Sequence, residues 1–264
     1  MFETVQRDGV TVHTVPSLFA RCGVGIAFSE RTGGMSRAPY ASLDLAAHVG
    51  DEPAAVDANR GRLLEAIGIG SLAERLTCAE QVHGAATVEV NAAVAGSGAR
   101  AASGRPPVAG TDALWTRARG VPLMLLFADC VPVIIVKPSV PAVAVVHAGW
   151  RGAAAGIVGS AARVLGALGG PDDLEAYVGA HIGPCCYEVG DEFLSHFDNA
   201  FVTITAASPR LDLGAAVADD LERSGVPKER QWHLGICTAH STDRFFSYRS
   251  EGRTGRHGAL AVIL

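Results

Sequence analysis

The sequence predicts an α/β fold of the α+β type, a layered sandwich that forms a single domain over residues 1–264. Three apolar runs, at residues 121–127, 131–136 and 142–146, are rich in Val and Ile and bounded by Pro or Gly, as buried strands are. An apolar stripe at residues 152–168 has helical spacing. Strands and helices do not alternate regularly, which favours a layered sandwich over a doubly wound sheet.

The composition restricts the class of protein. The 264 residues are 48% hydrophobic and 19% charged, which is enough apolar material for a sizeable core. No run approaches the ~18 apolar residues that span a bilayer, and the N-terminus lacks the pattern of a signal peptide. A net charge of −5 gives no basic surface for nucleic acid. The six scattered cysteines make a poor disulfide framework, so we expect a reducing cytoplasm and neither a membrane nor a nucleic-acid partner.

The first quarter of the chain is predicted to contain a hairpin, a short strand and a helix. Weak alternation at residues 9–27 indicates the hairpin, and a glycine-containing loop follows at 28–40. Residues 42–45 are predicted to form the short strand. An acid and a Pro at 51–53 then begin a helix that ends at Gly68.

The same patterns give the later elements. Residues 76–90 predict two strands around a turn at His83-Gly84, and the Ala, Gly and Ser of residues 92–108 predict a flexible surface excursion. Strands resume at Asp112. The rest of the chain is predicted to contain helices at 152–168, 190–197 and 212–225 and strands at 177–182, 232–236 and 258–264.

Side chains suited to catalysis lie where the apolar runs end. Cys130 follows Asp129 at the break between two runs, and His147 ends a third. Cys130 and His147 fit a nucleophile and its base, because an imidazole lowers the pKa of a thiol. Together with His83, they also fit a His₂Cys metal site, whose open fourth position is typical of catalytic zinc. The spacing matches no compact zinc finger, so the residues by themselves leave both alternatives open.

The other cysteines are interpreted as structural. The adjacent Cys185 and Cys186 would be strained as joint ligands of one ion, which favours a structural turn that leads into the next helix. Cys22, Cys78 and Cys237 have no neighbours that indicate chemistry, and we expect them in the core or in loops.

Arginine side chains supply a candidate anion site. Arg151 lies shortly after His147, and Arg249, Arg253 and Arg256 lie in a glycine-rich loop before the last strand. A loop that presents guanidinium groups binds phosphate through paired hydrogen bonds. Arg151 and Arg249 are the predicted phosphate ligands.

Six motifs follow one another along the chain, namely Gln81-Val82-His83-Gly84, Thr111-Asp112-Ala113-Leu114, Ala128-Asp129-Cys130-Val131-Pro132, His147-Ala148-Gly149-Trp150-Arg151-Gly152, Gly183-Pro184-Cys185-Cys186-Tyr187-Glu188-Val189-Gly190 and Phe245-Phe246-Ser247-Tyr248-Arg249. This combination resembles the YfiH family, formerly called the multicopper polyphenol oxidase or laccase-domain family. Residues 42–60 match a further stretch of that family, so the resemblance covers nearly the whole chain.

The resemblance implies a fold akin to the catalytic domain of cytotoxic necrotizing factor and one zinc ion bound by His83, Cys130 and His147. It also implies a purine nucleoside phosphorylase that acts on adenosine, inosine and methylthioadenosine and deaminates adenosine, with purine nucleosides and phosphate as its small-molecule partners. The older laccase label implies copper, but the chain lacks the rich His and Cys set of a multicopper cluster. The alternatives are a metal-free Cys–His amide hydrolase, a copper polyphenol oxidase and a non-enzymatic metal carrier. The sequence does not indicate an oligomeric state.

Three further residues are predicted to contribute to this site. Asp129 is assigned a proton-shuttling role, and Gln81 and Asp44 are assigned to substrate binding with the two arginines. Asp44 stands where the family usually has Asn, and its charge near phosphate or ribose is expected to affect substrate preference more than metal binding.

Overall fold

Two six-stranded sheets form the centre of the computed structural model, which describes residues 1–205 and 208–264. The strands in this part of the chain are β1 (Glu3–Arg7), β2 (Val10–Thr14), β3 (Val24–Ser29), β4 (Thr77–Cys78), β5 (Thr87–Glu89), β6 (Ala113–Thr116), β7 (Leu123–Phe127), β8 (Val131–Lys137), β9 (Ala142–Ala148), β10 (Glu175–Val178), β11 (Val202–Ile204), β12 (Pro209–Leu211), β13 (Gln231–His233) and β14 (His257–Ile263). The helices are α1 (Pro16–Cys22), α2 (Pro53–Ala66), α3 (Trp150–Ala154), α4 (Ile157–Gly166), α5 (Leu213–Arg223) and α6 (Tyr248–Glu251). Short 3₁₀ helices lie at Ala47–Val49, Gly70–Arg75, Asp191–Ser195, Asn199–Phe201 and Lys228–Arg230.

The strand order shows a chain that crosses repeatedly between the two sheets. The first sheet runs β1-β2-β3-β14-β7-β4, and the second runs β13-β10-β8-β9-β6-β5. Strands β11 and β12 form a separate two-stranded ribbon. Most neighbours in both sheets are antiparallel, while β4, β5 and β13 join their neighbours in parallel. The predicted α+β layered sandwich is therefore confirmed.

The continuous apolar runs reflect strands that are covered on both faces. In β8, Ile134 and Val136 point into the cluster between the two sheets, whereas Val133 and Ile135 point into the cluster under the helices. Alternate residues of β7, β9 and β14 divide in the same way. Successive side chains of a strand face opposite sides of the sheet, so a strand buried on both sides needs apolar residues throughout.

Helices cover the outer faces and make the sandwich four layers deep. Leu63 and Leu64 of α2 pack on the outer face of the first sheet. Helices α4 and α5 cover the second sheet with Ile157, Leu165 and Leu221. The resulting order of layers is α/β/β/α. The two strands that flank Asp129-Cys130 lie in its two central layers, β7 in the first sheet and β8 in the second.

Several element predictions need correction near the N-terminus. The hairpin is β1 and β2 around Asp8-Gly9, where both residues have positive φ, and α1 occupies much of the range predicted as strand. Residues 42–45 form no strand. Their backbone N–H groups bond to separate loops instead, as Leu43 N–H does to the carbonyl of Arg31 and Leu45 N–H to that of Arg256.

Other predictions hold in part. The two strands expected in residues 76–90 exist as β4 and β5, but they belong to different sheets. The helix expected at 152–168 is divided into α3 and α4 by Gly156, whose φ of 72° is left-handed. Residues 190–197 contain a 3₁₀ helix rather than an α-helix. The strand predicted at 177–182 is β10, which begins two residues earlier and ends at Val178.

The segment predicted to be a flexible surface excursion is anchored to the body of the protein. Residues 92–108 contain turns and no helix or strand, yet Arg60 of α2 donates through Nη1 to the carbonyl of Gly98 at 2.8 Å. Ala99 is buried. Across residues 1–205 and 208–264, no helix has the length and apolar character required to cross a membrane.

Candidate functional site

The connection between β7 and β8 carries the chain from the first sheet to the second and holds Cys130. Asp129 turns the backbone here with a φ of 89°, a left-handed value that is uncommon for a residue other than glycine. The antiparallel register of β8 with β9 pairs Val131 with Ala148 and Pro132 with His147. Cys130 and His147 are distant in sequence but lie side by side because of this register.

His83 reaches the same place from a second crossing loop, between β4 and β5. Gln81 and His83 both have positive φ, 62° and 59°, and such backbone strain persists only where other contacts impose it. Asp112 supplies those contacts. Its carboxylate accepts the backbone N–H groups of Val82 at 3.1 Å, His83 at 2.9 Å and Gly84 at 2.8 Å.

The same carboxylate orients His147. Asp112 Oδ1 lies 2.9 Å from His147 Nδ1, and both side chains are buried. Burial opposes ionisation of Asp112, but hydrogen bonds from His147 and from the loop outweigh it and hold the pKa of the carboxyl below its usual value. An ionised carboxylate can only accept, so Nδ1 carries a hydrogen, and Nε2 of the neutral ring is left as an acceptor or metal ligand.

Three donor atoms converge at this point. One ligand atom each from His83, Cys130 and His147 lie within 4.8 Å of one another. Gly149 leaves the space for them, because a Cβ there would lie 2.9 Å from His83 Cδ2 and 3.2 Å from Cys130 Sγ. A His₂Cys set with one histidine fixed by a carboxylate fits a catalytic metal ion with an open position.

Charge within the cluster is concentrated on the thiol and its neighbouring ring. Burial opposes the thiolate, but His147 and His83 outweigh it and lower the pKa of Cys130 to about 6. Burial likewise opposes the imidazolium, but Cys130 and Asp112 raise the pKa of His147 to about 9. Both shifts favour the Cys130 thiolate and the His147 imidazolium over the neutral pair when no metal is bound.

A cleft of about 320 Å³ opens over these donor atoms. This is within the usual size range for pockets that bind small molecules. Its walls are formed by His48, Gln81, His83, Leu126, Ala128, Asp129, Cys130, His147, Ile182, Tyr187, Tyr248, Arg249 and Arg256. The cleft thus combines a metal-type donor set, two guanidinium groups and two tyrosines.

Asp129 and Gln81 lie in the wall, as the sequence suggested, but their polar atoms already bond to this chain. Asp129 Oδ1 accepts the hydroxyl of Thr238 at 2.6 Å, and its Oδ2 accepts the backbone N–H of Arg249 at 2.7 Å. The Gln81 amide both donates to and accepts from the backbone of Leu126, at 2.7 and 2.9 Å. Both side chains therefore shape the cleft through the segments they hold.

The arginines divide between the cleft and the surface. Arg249 lines the cleft, and its Nη1 donates to the carbonyl of Glu188 at 2.8 Å. Arg151 is exposed on α3, stacks over Trp150 at 4.5 Å, and is not among the described residues that line the cleft. Arg256 lies in the wall instead, with Nη1 donating to the carbonyls of Thr254 and Gly255.

Asp44 lies behind the cleft rather than in it. Its side chain is fully buried, and Oδ1 accepts the backbone N–H groups of Arg256 at 2.7 Å and Ala46 at 3.1 Å. Oδ2 is buried without a partner among the described residues. Burial raises the pKa of Asp44 to about 7, against the opposing effect of these two N–H groups.

Sequence reasoning assigned no role to three residues that the structure places at the site. Asp112 stood in a recognised motif but only the tertiary structure shows that it joins the His83 loop to His147. His48 and Tyr248 also line the cleft. For Asp112 the available signal was a lone acid at the start of an apolar strand, and the motif that contains it.

The chain is similar to known proteins in both sequence and structure. Residues 25–264 match the family model described as multi-copper polyphenol oxidoreductase laccase. The chain is 38% identical over 248 residues to purine nucleoside phosphorylase YlmD of Geobacillus stearothermophilus, covering 89% of this chain and 88% of that protein. It is 33% identical over 250 residues to purine nucleoside phosphorylase YfiH of Escherichia coli K12, covering 92% and 95%. The crystal structure of YlmD from G. stearothermophilus superposes with a TM-score of 0.90 at 35% identity, covering 99% and 98% of the two chains.

Proposed function

The chain belongs to the multi-copper polyphenol oxidoreductase laccase family, and we propose that it is a zinc-dependent purine nucleoside phosphorylase that cleaves adenosine, inosine and methylthioadenosine and also deaminates adenosine. The resemblance to the YfiH family is confirmed by the relatives named YlmD and YfiH. One observation supports the proposed activity above the others. The His₂Cys donor set opens directly into a cleft that carries two guanidinium groups.

His83, Cys130 and His147 are the proposed metal ligands, and Zn²⁺ is the proposed ion. A zinc ion at this position supplies Lewis-acid activation of a water molecule or of a polar substrate group. Copper is the less favoured ion. A His₂Cys copper site of the electron-transfer type adds a weak axial ligand, usually Met, and no Met is present among the described residues that line the cleft.

Arg249 and Arg256 are the proposed phosphate ligands. Phosphorolysis forms a bond from a phosphate oxygen to ribose C1′ as the bond from C1′ to the purine nitrogen breaks, so the anion must be held beside the sugar. A guanidinium group suits this task because it is always charged and presents paired donors. The Arg249 side chain is held over the ring of Tyr187 at 5.2 Å, which limits its freedom before phosphate binds.

The other residues in and behind the cleft wall are assigned positioning or stacking roles. Asp129 positions the backbone of Arg249, and Asp44 positions that of Arg256. Tyr187 and Tyr248 offer aromatic faces to a purine ring. The proton-shuttling role of Asp129, the location in the cytoplasm and the single domain over residues 1–264 stay predictions.

The test compares two arginines that differ in their relation to the cleft. Arg249→Lys keeps the charge but loses the planar pair of donors, so we expect the KM for phosphate in inosine cleavage to rise about tenfold or more, a loss of about 1.4 kcal/mol. Adenosine deamination, which needs no phosphate, is expected to change less. Both activities are followed by chromatography of purine products.

Arg151→Lys is the matched control, since Arg151 also stacks on an aromatic ring but lies outside the described cleft wall. Its KM for phosphate is expected to stay within about twofold of wild type, as for a surface substitution. A large effect in Arg151→Lys with none in Arg249→Lys would reverse the assignment. Absence of any phosphate-dependent cleavage by metal-loaded wild type would refute the phosphorylase.

A metal-free thiol hydrolase is the second candidate function, and one observation favours it. Asp112, His147 and Cys130 form an acid–base–nucleophile chain like that of cysteine hydrolases. Iodoacetamide labelling of Cys130, read by mass spectrometry, separates the two candidates. A zinc-bound thiolate is shielded until a chelator removes the ion, and His83→Ala lowers metal affinity and turnover. Fast labelling without chelator, with amide hydrolysis that survives His83→Ala, would favour the hydrolase.

A further inference from the structure

A second cluster of metal-type donors lies outside the ligand set of the cleft. Cys185, Cys186, Cys237 and His240 each offer a ligand atom, and these atoms all lie within 4.8 Å of one another. We propose that they form a second metal site, which binds one Zn²⁺ in a closed four-coordinate shell and has a structural role. It shares no ligand with the site of His83, Cys130 and His147.

The donor set matches the chemistry of a structural zinc. Three thiolates and one imidazole form the Cys₃His type, in which protein atoms fill all four positions. With Zn–S bonds of about 2.3 Å, tetrahedral sulfurs lie about 3.8 Å apart, so a cluster with all separations within 4.8 Å needs only a small contraction. Cys185 Sγ and His240 Nδ1 are already 3.6 Å apart.

The backbone is arranged around sulfur at this site. Cys237 Sγ accepts the N–H of Gly183 at 3.2 Å. Gly183 makes room for two of the sulfurs. A Cβ at this position would lie 3.2 Å from Cys185 Sγ and 3.6 Å from Cys237 Sγ.

The sequence argument against adjacent cysteines as ligands therefore needs revision. Cys185 and Cys186 lie in the turn after β10, while Cys237 and His240 lie in the turn after β13. These turns are already aligned, because His181 forms a parallel bridge with Cys237 and accepts the N–H of Thr238 at 3.0 Å. Two ligands from each turn let one ion join the two.

The proposed ion would brace one wall of the cleft. Arg249 Nη1 donates to the carbonyls of Glu188 and Cys186, so its guanidinium group rests on the first turn. Thr238, in the second turn, donates to Asp129. Tyr187, next to Cys186, lines the cleft. The ion would thus position Arg249 and Tyr187 without touching substrate.

The site is also open to metal from solvent. Cys185 and His240 are exposed, whereas Cys186 and Cys237 are half-buried. Exposed clustered thiols are prone to oxidation unless they are coordinated. A bound Zn²⁺ would keep the three cysteines as coordinated thiolates, with the imidazole of His240 as the fourth ligand.

The test counts metal on the full chain. Protein purified in reductant, reconstituted with Zn²⁺ and passed over a chelating resin is analysed by mass spectrometry of the metal, and we expect two zinc ions per chain. His240→Ala and Cys237→Ser should each lose the ion of the second site, and Cys130→Ser should lose the ion of the cleft. The variant that combines Cys130→Ser with His240→Ala should lose both. Cys22→Ser, which alters a cysteine outside both clusters, should retain both.

This design separates the two sites. One ion that survives Cys130→Ser and is lost in His240→Ala supports the second site even if the proposed function fails. Metal content unchanged by both His240→Ala and Cys237→Ser refutes it. So does a disulfide between Cys237 and either Cys185 or Cys186 in protein purified without reductant, when Zn²⁺ fails to bind after reduction.

A spectroscopic measurement covers variants that fold poorly. Co²⁺ added to metal-free Cys130→Ser should give a strong sulfur-to-cobalt charge-transfer band and the visible bands of a four-coordinate ion. The charge-transfer band should weaken by about a third in Cys130→Ser combined with Cys185→Ser, since one of three thiolates is lost. A band in the combined variant as strong as that of Cys130→Ser alone, or no band in Cys130→Ser, overturns the proposal.

Discussion

Replacing Asp112 with Asn tests whether one carboxylate assembles the catalytic cluster. The change preserves shape and removes charge. Oδ1 accepts from His83 N–H and His147 Nδ1, and Oδ2 accepts from the N–H groups of Val82 and Gly84. An amide has one oxygen and one NH₂ group, so whichever way it turns, its NH₂ faces a pair of groups that formerly donated.

The structure sets the expected magnitude. Two hydrogen bonds are lost, and an unsatisfied buried donor costs about 1–3 kcal/mol. Because the loop bonds are only partly buried, we expect the free energy of unfolding to fall by about 2–4 kcal/mol. If NH₂ faces His147 instead, the ring must change tautomer to accept from it, and zinc affinity then falls by about 10- to 100-fold.

The assay has two parts and a control. Urea unfolding of chelator-treated protein measures the stability of the fold, and competition with a chromogenic chelator measures zinc affinity. Asp172→Asn, on an exposed aspartate, should leave both within error of wild type. An Asp112→Asn protein that unfolds at the wild-type urea concentration and binds zinc with wild-type affinity would show that Asp112 does not organise the site.

Three further outcomes are expected. Gly149→Ala should weaken zinc binding about tenfold or more by competition titration, since a Cβ there lies 2.9 Å from His83 Cδ2, while the helical content seen by circular dichroism stays unchanged; equal affinity would contradict the packing argument. Asp44→Asn should stabilise the protein, because a folded pKa of about 7 lies above the usual value of 3.8, and stability present at low pH is therefore lost as the pH rises between them. The gain in urea unfolding should be about 2 kcal/mol larger at pH 8 than at pH 5, and a gain independent of pH would argue against a charged Asp44. His257, buried against Phe127, has its pKa lowered to about 3 by burial and by Arg256, so wild type should lose stability as the pH falls below about 6.5. His257→Phe should lose less over that range, by up to about 2.7 kcal/mol between pH 6.5 and 4.5, and parallel pH profiles would refute this.

Much of the fold was predictable because the central strands are covered on both faces. The runs that became β7, β8, β9 and β14 are apolar apart from Lys137, His147 and His257, as expected of strands that are buried on both faces. The lack of regular alternation between strands and helices then favoured a layered sandwich. The three metal-type residues of the cleft came from motifs, which carry family information that periodicity does not.

Pairing between distant segments could not be predicted in the same way. β4 and β5 were expected as neighbours around one turn, but β4 pairs with β7 and β5 with β6. Local sequence specifies that a segment is extended, while the choice of partner depends on which sheet edge is free. The short strand expected at residues 42–45 failed for a related reason, since its apolar residues are buried without a neighbouring strand.

The sequence by itself determined the donor types and the places where strands end, since both are properties of single segments. Only the tertiary structure decided that Arg256 rather than Arg151 faces the cleft, and that Asp112 joins a loop to a histidine. It also brought Cys185 and Cys237 together from two turns. The physical reason is that a side chain's partners are set by the register and crossing of whole strands, and these are fixed by the packing of two sheets that no single segment encodes.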